Sequence, residues 1–283
     1  MLAAEDDHWW YQGRRLVVAA AIDRLDLGRE PEILDVGCGS GRMLDELSQR
    51  GRAAGLDVRA DAVMAARMRG HANTHLAPAE ETGFADGTFE LVTAFDVIEH
   101  TPDDRRTLRE LLRITRPGGH LVATVPAHPH LWSQHDVVNM HYRRYTARSF
   151  AMAAREAGWG LDRTSYFFSH LLTPAALVRW TEHLGRRHDG HSDLEQGRGP
   201  LVSSALLKVS AAEAAIIGHG GRVPVGLSLL AVLEAPRVRA LKAAPPAHGG
   251  ERTRGRPSRR TLPRKVPRVA ALTPATRGAR PSA

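Results

Sequence analysis

The stretch Asp35-Val36-Gly37-Cys38-Gly39-Ser40-Gly41 constrains this chain more than any other. A short apolar run, EILDVG (32–37), leads into it, and an amphipathic segment, GRMLDELSQR (41–50), leaves it. Three glycines at alternate positions let the backbone turn tightly and let a ligand approach the main chain closely. The unpaired N–H groups of the following helix then face that ligand. A strand, a glycine turn and a helix in this order are the opening unit of a parallel α/β sheet. The spacing also argues against one common ligand. A dinucleotide fingerprint places its third glycine at the sixth position, where this chain has Arg42.

The rest of the chain repeats the alternation. Strands are predicted at 32–37, 52–57, 73–78, 89–97 and 119–127, with helices at 41–50, 59–70 and 102–115 between them. Pro117-Gly118-Gly119 reads as a stop before the fifth strand. A helix at about 146–157 with Gly158 as its stop precedes a sixth strand, 160–168. A seventh follows at 227–235. Between strands six and seven lies a helical region, about 170–221, split by the polar run RRHDGHSDLEQGRGP. It reads either as an insertion packed over the ligand-binding edge of the sheet or as an extension of the core.

Charge divides the chain. Residues 237–283 hold thirteen Lys/Arg against one acid, Glu251. That leaves 26 basic and 30 acidic residues in 1–236, a net charge of −4. The tail is rich in Pro, Gly and Arg, lacks apolar periodicity and has no aromatic residue; disorder is expected. It suits weak contact with polyanions or an anionic membrane surface. With no base-stacking side chain and an acidic folded part beside it, an obligate nucleic-acid partner is not expected. The one cysteine, Cys38, forms neither an internal disulfide nor a cysteine metal cage. The acidic N-terminus does not read as a secretory signal, and no uncharged apolar stretch of about 18 residues is present. A cytoplasmic protein is expected.

Two acids sharpen the ligand. Asp35 precedes the first glycine by two residues, which suits an ammonium or a sulfonium-bearing ligand better than a pyrophosphate. Asp57, ending the second strand, is placed to accept from ribose hydroxyls. On these residues, with GLD (55–57), FADGTFELVTAFDVIEH (84–100) and RITRPGGHLVATVP (113–126), the chain resembles class I S-adenosylmethionine-dependent methyltransferases over roughly residues 1–235. HWWYQGRR (8–15) and LWSQHDVVNMHYRRYT (131–146) bring it nearest to the type 11/12-like subgroup. The resemblance implies an α/β fold: a seven-stranded Rossmann-like methyltransferase sheet, last strand antiparallel, with the helical insertion between strands six and seven. It implies S-adenosyl-L-methionine as donor and S-adenosyl-L-homocysteine as product. Carried over by residue, Asp35, Gly37, Gly39 and Gly41 hold the methionine portion, and Asp57 and Val58 flank ribose and adenine. Phe95, Asp96 and Val97 line the amino-acid end. Where the family has an acid for the adenine amino group this chain has Pro78, which leaves Ala79 and Glu80 to make that contact.

The domain reading is an N-terminal helical lid (1–30), a methyltransferase domain (31–236) and a disordered basic tail (237–283). Tyr11 and Arg14 of the lid would face the cofactor, Arg14 near its carboxylate; the alternative is a helix that seals the sheet edge. Acceptor contacts are expected after strand five from Trp132, Asp136, Arg143, Arg144 and Tyr145, with His135 or His141 as general base oriented by Asp136. The arginines would pair with a carboxylate or phosphate. His135, Asp136 and His141 also have metal-ligand chemistry, but at an unspecific spacing, and no metal is expected. Glu99-His100 reads as a pair that fixes the loop and caps the helix starting near Pro102; the alternative is contact with the acceptor. The segment FDVIEH lacks the Asn/Asp-Pro-Pro-aromatic pattern of enzymes that methylate amino groups of bases or amides, so a small-molecule acceptor is expected. A nucleic-acid-associated methyltransferase using the tail, a donor-binding scaffold without catalysis and an NAD-dependent oxidoreductase are the competing readings.

Overall fold

The structure, a computed structural model, describes residues 8–173 and 199–237. Seven strands form one sheet: β1 (Glu32–Val36), β2 (Arg52–Asp57), β3 (Thr74–Leu76), β4 (Phe89–Phe95), β5 (Thr115–Pro126), β6 (Gly160–Phe167) and β7 (Ser228–Glu234). Their order is β3-β2-β1-β4-β5-β7-β6. The first five are parallel, and β7 runs antiparallel between β5 and β6. This is the Rossmann-like methyltransferase sheet expected from the sequence. Its strand order reverses between β1 and β4, and such a switch point opens a crevice at the carboxyl ends of the strands.

The central strands are buried on both sides, which is why they read as continuous apolar runs rather than alternating ones. One layer carries α4 (Asp104–Ile114) and α6 (Ala147–Ala157), whose Leu108, Leu111, Ile114, Phe150 and Ala154 pack on Leu34, Val92, Leu121 and Ala123. Helical spacing of apolar residues puts those side chains on one stripe. The Asp103 side chain accepts from the Arg106 N–H and starts α4; Gly158, at φ +103°, ends α6. Short α2 (Arg42–Leu47) and α3 (Ala60–Met68) follow β1 and β2.

The opposite layer is helical too. It is built by α1 (Trp9–Ile22) and α7 (Pro200–Gly218), packed side by side over Ile33, Leu91, Val122 and Leu230. Trp9, Val17, Val18 and Ile22 of α1 are buried, so α1 covers a sheet face rather than only the cofactor. Gly13 permits the approach to α7: a Cβ there would lie 2.8 Å from Ser210 Oγ. The α7 part of the insertion therefore sits on a sheet face, not over the ligand edge. Glu213 anchors it by accepting from the Phe168 and Ser169 N–H groups, both at 2.8 Å. Residues 201–218 have a mean hydropathy of 1.5 and are 22% buried, so by length and composition this one helix could cross a membrane, although it carries Lys208 and Glu213. The insertion's residues 174–198, and the expected tail from 238 on, lie outside the described residues.

Pro117-Gly118-Gly119 is also corrected. β5 begins at Thr115 and runs through it, with a register shift between Phe89 and Leu91 of β4. Gly118 has φ +79°, and a Cβ on Gly119 would meet the Glu90 carbonyl oxygen at 2.7 Å. The three residues make an irregularity inside the strand pair instead of a stop.

Candidate active site at the carboxyl edge of the sheet

The glycine turn leaves β1 at the switch point. Gly37, Gly39 and Gly41 have φ of +73°, +55° and +82°, a region that disfavours residues with a Cβ. The Gly37 and Cys38 N–H groups donate to the Leu56 carbonyl at the end of β2 (2.7 and 3.1 Å). Asp57 accepts from the Gly39 N–H at 3.0 Å through one oxygen and from the Arg59 N–H at 2.9 Å through the other. Asp57 therefore pins the turn as well as ending the strand. Asp35 is buried and accepts from the Thr93 hydroxyl at 2.7 Å.

A narrow cleft opens here. Tyr11, Arg14, Asp35, Gly37, Gly39 and Phe95 line it. Arg14 donates to Asp96 at 2.6 Å and lies 5.4 Å from the centre of the Tyr11 ring. Asp96 is held at φ +55° and accepts from the Thr124 hydroxyl at 3.0 Å, so backbone strain concentrates at this strand end. Val97 closes on the turn: a Cβ at Gly37 would lie 2.4 Å from Val97 Cγ2. Gly41 differs from its neighbours, since a Cβ there would meet Ala66 and His71 of the α3 region; packing requires that glycine. Beyond the end of β2, the Ala77 N–H donates to the Asp57 carbonyl, Val58 is exposed, Ala79 is buried and Glu80 is half-buried. The next loop is tied to α4, where Glu110 accepts from both the N–H (2.9 Å) and the hydroxyl (2.7 Å) of Thr82. Acids, the guanidinium groups of Arg14, Arg15 and Arg42 and a glycine-only backbone together fit a zwitterionic amino-acid end joined to a ribose. The residues present thus fit S-adenosylmethionine.

The segment after β5 folds onto the same edge, but several of its residues have internal partners. Asp136, on the short helix α5 (Gln134–Val138), is fully buried. It accepts from Arg144 Nε at 2.7 Å and from the Ser133 N–H at 2.9 Å, and His141 Nδ1 lies 2.9 Å away. Burial opposes its charge, and His141 and Arg144 outweigh burial, holding its pKa below the ordinary carboxylate value. Arg144 also donates to the Ala127 carbonyl. Asp104 takes the other two: the Tyr145 hydroxyl donates to it at 2.8 Å, and Arg143 pairs with it at 3.2 Å. Asp136, Arg144 and Tyr145 thus each have an internal partner. Two buried carboxylates have recruited the cations and the phenol to brace the loop. Trp132 and His135 remain half-buried, His135 against the Asn139 amide.

Glu99-His100 is where sequence reasoning fell short. Asp103, not Glu99, caps the helix. Glu99 is fully buried, and neither carboxylate oxygen has a hydrogen-bond partner. Burial, then the nearby charge of Asp96, pushes its pKa well above the ordinary value. The Tyr142 N–H donates to the Glu99 carbonyl and so brings His141 alongside. The His100 and His141 rings meet edge-on with centroids 4.7 Å apart. One ligand-type atom from each of Glu99, His100 and His141 lies within 4.8 Å of the others. The Glu-His pair is visible in the sequence, but its meeting with His141 is not.

Comparison with known proteins agrees with this geometry. Residues 34–123 match the family described as Methyltransferase domain. The chain is 26% identical over 169 residues to the ubiquinone biosynthesis O-methyltransferase of Pectobacterium atrosepticum, covering 56% of this chain and 63% of that protein. It is 32% identical over 108 residues to methyltransferase GfsG of Streptomyces halstedii, covering 35% and 39%. The matched region thus spans less than two thirds of these curated relatives. Among solved structures, phosphoethanolamine N-methyltransferase 2 of Haemonchus contortus, in complex with S-adenosyl-L-methionine, superposes with a TM-score of 0.52 at 17% identity, covering 80% of this chain and 53% of that one. The [4+2]-cyclase SpnF superposes at 0.54 with 20% identity, covering 80% and 82%. These likenesses show the fold, which hosts more than one chemistry.

Proposed function

We propose that this chain, a member of the class I S-adenosylmethionine-dependent methyltransferase family, transfers the donor's methyl group to an oxygen of a small-molecule acceptor. The observation that carries the reading is the continuous edge from the Gly37–Gly41 turn, through Arg14 and Asp96, to the polar cluster of Glu99, His100 and His141. Bound there, S-adenosyl-L-methionine supplies a methyl carbon already activated by its sulfonium. The work left to the protein is alignment and exclusion of water. Asp57 and the turn would hold ribose and backbone, Asp35 and Arg14 the charged amino-acid end, and Phe95 the apolar wall beside the methyl group. As the acceptor oxygen takes up the methyl carbon, the acceptor hydroxyl would pass its proton to water at the mouth of the cleft. Glu99, His100 and His141 stand where that oxygen would approach. The choice of oxygen is supported by the O-methyltransferases among the relatives, and that of a small molecule by the absence of the amino-group motif after β4.

Calorimetry with S-adenosyl-L-homocysteine and with NAD tests the donor, and transfer of labelled methyl groups to a panel of hydroxylated and amine acceptors tests the reaction. Binding of the homocysteine product and labelling of hydroxylated acceptors is expected. Binding of NAD alone, or labelling confined to amines, would overturn it. A cytoplasmic location belongs to the same reading; recovery of the expressed chain with the membrane fraction would count against it.

A further inference from the structure

A carboxylate without hydrogen bonds is expensive to bury, and cores tolerate one when a cation meets it. Glu99 is such a group, with both oxygens orphaned. The nearby arginines make no bond to it: Arg14 is bonded to Asp96 and Arg144 to Asp136. What surrounds Glu99 instead is a pair of imidazoles, His100 exposed and His141 half-buried. His141 is already steadied from behind: its Nδ1 is held by Asp136 at 2.9 Å, while the exposed His100 ring meets it edge-on. Metal-binding histidines are oriented this way, one ring nitrogen fixed by a carboxylate or carbonyl and the other left to ligate.

We propose that Glu99, His100 and His141 bind one divalent cation of the zinc, manganese or cobalt class, at the acceptor end of the cleft. Two imidazoles and one carboxylate suit borderline metals and leave coordination positions open. Bonds of about 2.0–2.2 Å to a tetrahedral ion place donor atoms about 3.4 Å apart; the three atoms now lie within 4.8 Å of one another. The exposed His100 ring can close the remainder by rotation. His135, Asp136 and His141, the trio that sequence alone suggests, is not the site, because Asp136 is spent on Arg144 and on orienting His141.

The cation's role rests on the methyl-transfer reading. Its charge would stabilise the acceptor oxygen as the hydroxyl proton leaves to water and the new O–C bond forms. The binding site itself does not depend on that reading. The test uses the full chain freed of metal with a chelator. Titration with Zn²⁺ in a calorimeter, and with Co²⁺ followed by its visible absorption, is expected to give one site per chain. Glu99→Gln and His141→Ala should each weaken it at least tenfold. His100→Ala should weaken it too, and since His100 is exposed that variant leaves the core untouched. Affinity for S-adenosyl-L-homocysteine, measured on the same samples, should stay within about twofold. Absence of a stoichiometric site, or equal affinity in all three variants, would overturn the proposal. Glu99→Gln that stabilises the chain while wild type takes up no metal would mean a neutral, protonated Glu99 instead. Metal uptake without binding of the homocysteine product would leave the site standing and remove the methyl-transfer reading.

Discussion

Asp57→Ala removes one carboxylate from two tasks. In the protein alone, Asp57 accepts from the Gly39 and Arg59 N–H groups at 3.0 and 2.9 Å. These bonds fix a turn whose glycines all sit at positive φ. With donor bound, the same carboxylate would accept from ribose hydroxyls. A hydrogen bond to a charged group contributes about 1.5–3 kcal/mol, so donor affinity should fall by about 10- to 150-fold. Loss of the two internal bonds should lower stability by about 1–3 kcal/mol. The two effects are separable. Calorimetric titration with S-adenosyl-L-homocysteine, well below the unfolding transition, reads the first, and thermal denaturation without ligand reads the second. Asp57→Asn should recover part of the stability, since its side-chain oxygen still accepts, yet little of the affinity. An Asp57→Ala protein that binds the homocysteine product within twofold of wild type would refute the placement of the ribose.

Gly37→Ala puts a Cβ 2.4 Å from Val97 Cγ2 at φ +73°; a cost of at least about 1–2 kcal/mol in stability is expected from the backbone alone, with loss of product binding by calorimetry. Glu110 is held at a pKa of about 2 by Arg113, with Thr82 adding to the effect. Its stabilisation is complete above its ordinary pKa of 4.5 and is lost as pH falls from there toward 2, up to about 3 kcal/mol. Denaturant melts of Glu110→Gln should show a shallower fall in stability over that window, and an unchanged slope would count against the Thr82–Glu110–Arg113 clamp. Removal of residues 238–283 should leave methyl transfer to small acceptors intact and abolish retention on heparin; activity lost with the tail would favour a polyanion-associated substrate.

Sequence alone determined the elements and their order. Strand burial on both faces, helical spacing in α4 and α6, and the positive-φ turn at Gly37–Gly41 are local demands, written in residues a few positions apart. They sufficed for seven strands and the glycine turn at the switch point of the sheet. Tertiary structure decided what depends on distant partners. Arg144 and Tyr145 look like acceptor contacts until Asp136 and Asp104 are seen to hold them. Pro117-Gly118-Gly119 has the composition of a stop but lies within β5, because β4 shifts register beside it. Gly13 is an unremarked helix residue until α7, almost two hundred positions later, packs against it. Glu99 meets His141 across forty-two residues because the Tyr142 N–H finds the Glu99 carbonyl. No periodicity encodes such meetings; they are fixed only when the sheet brings its loops to one edge.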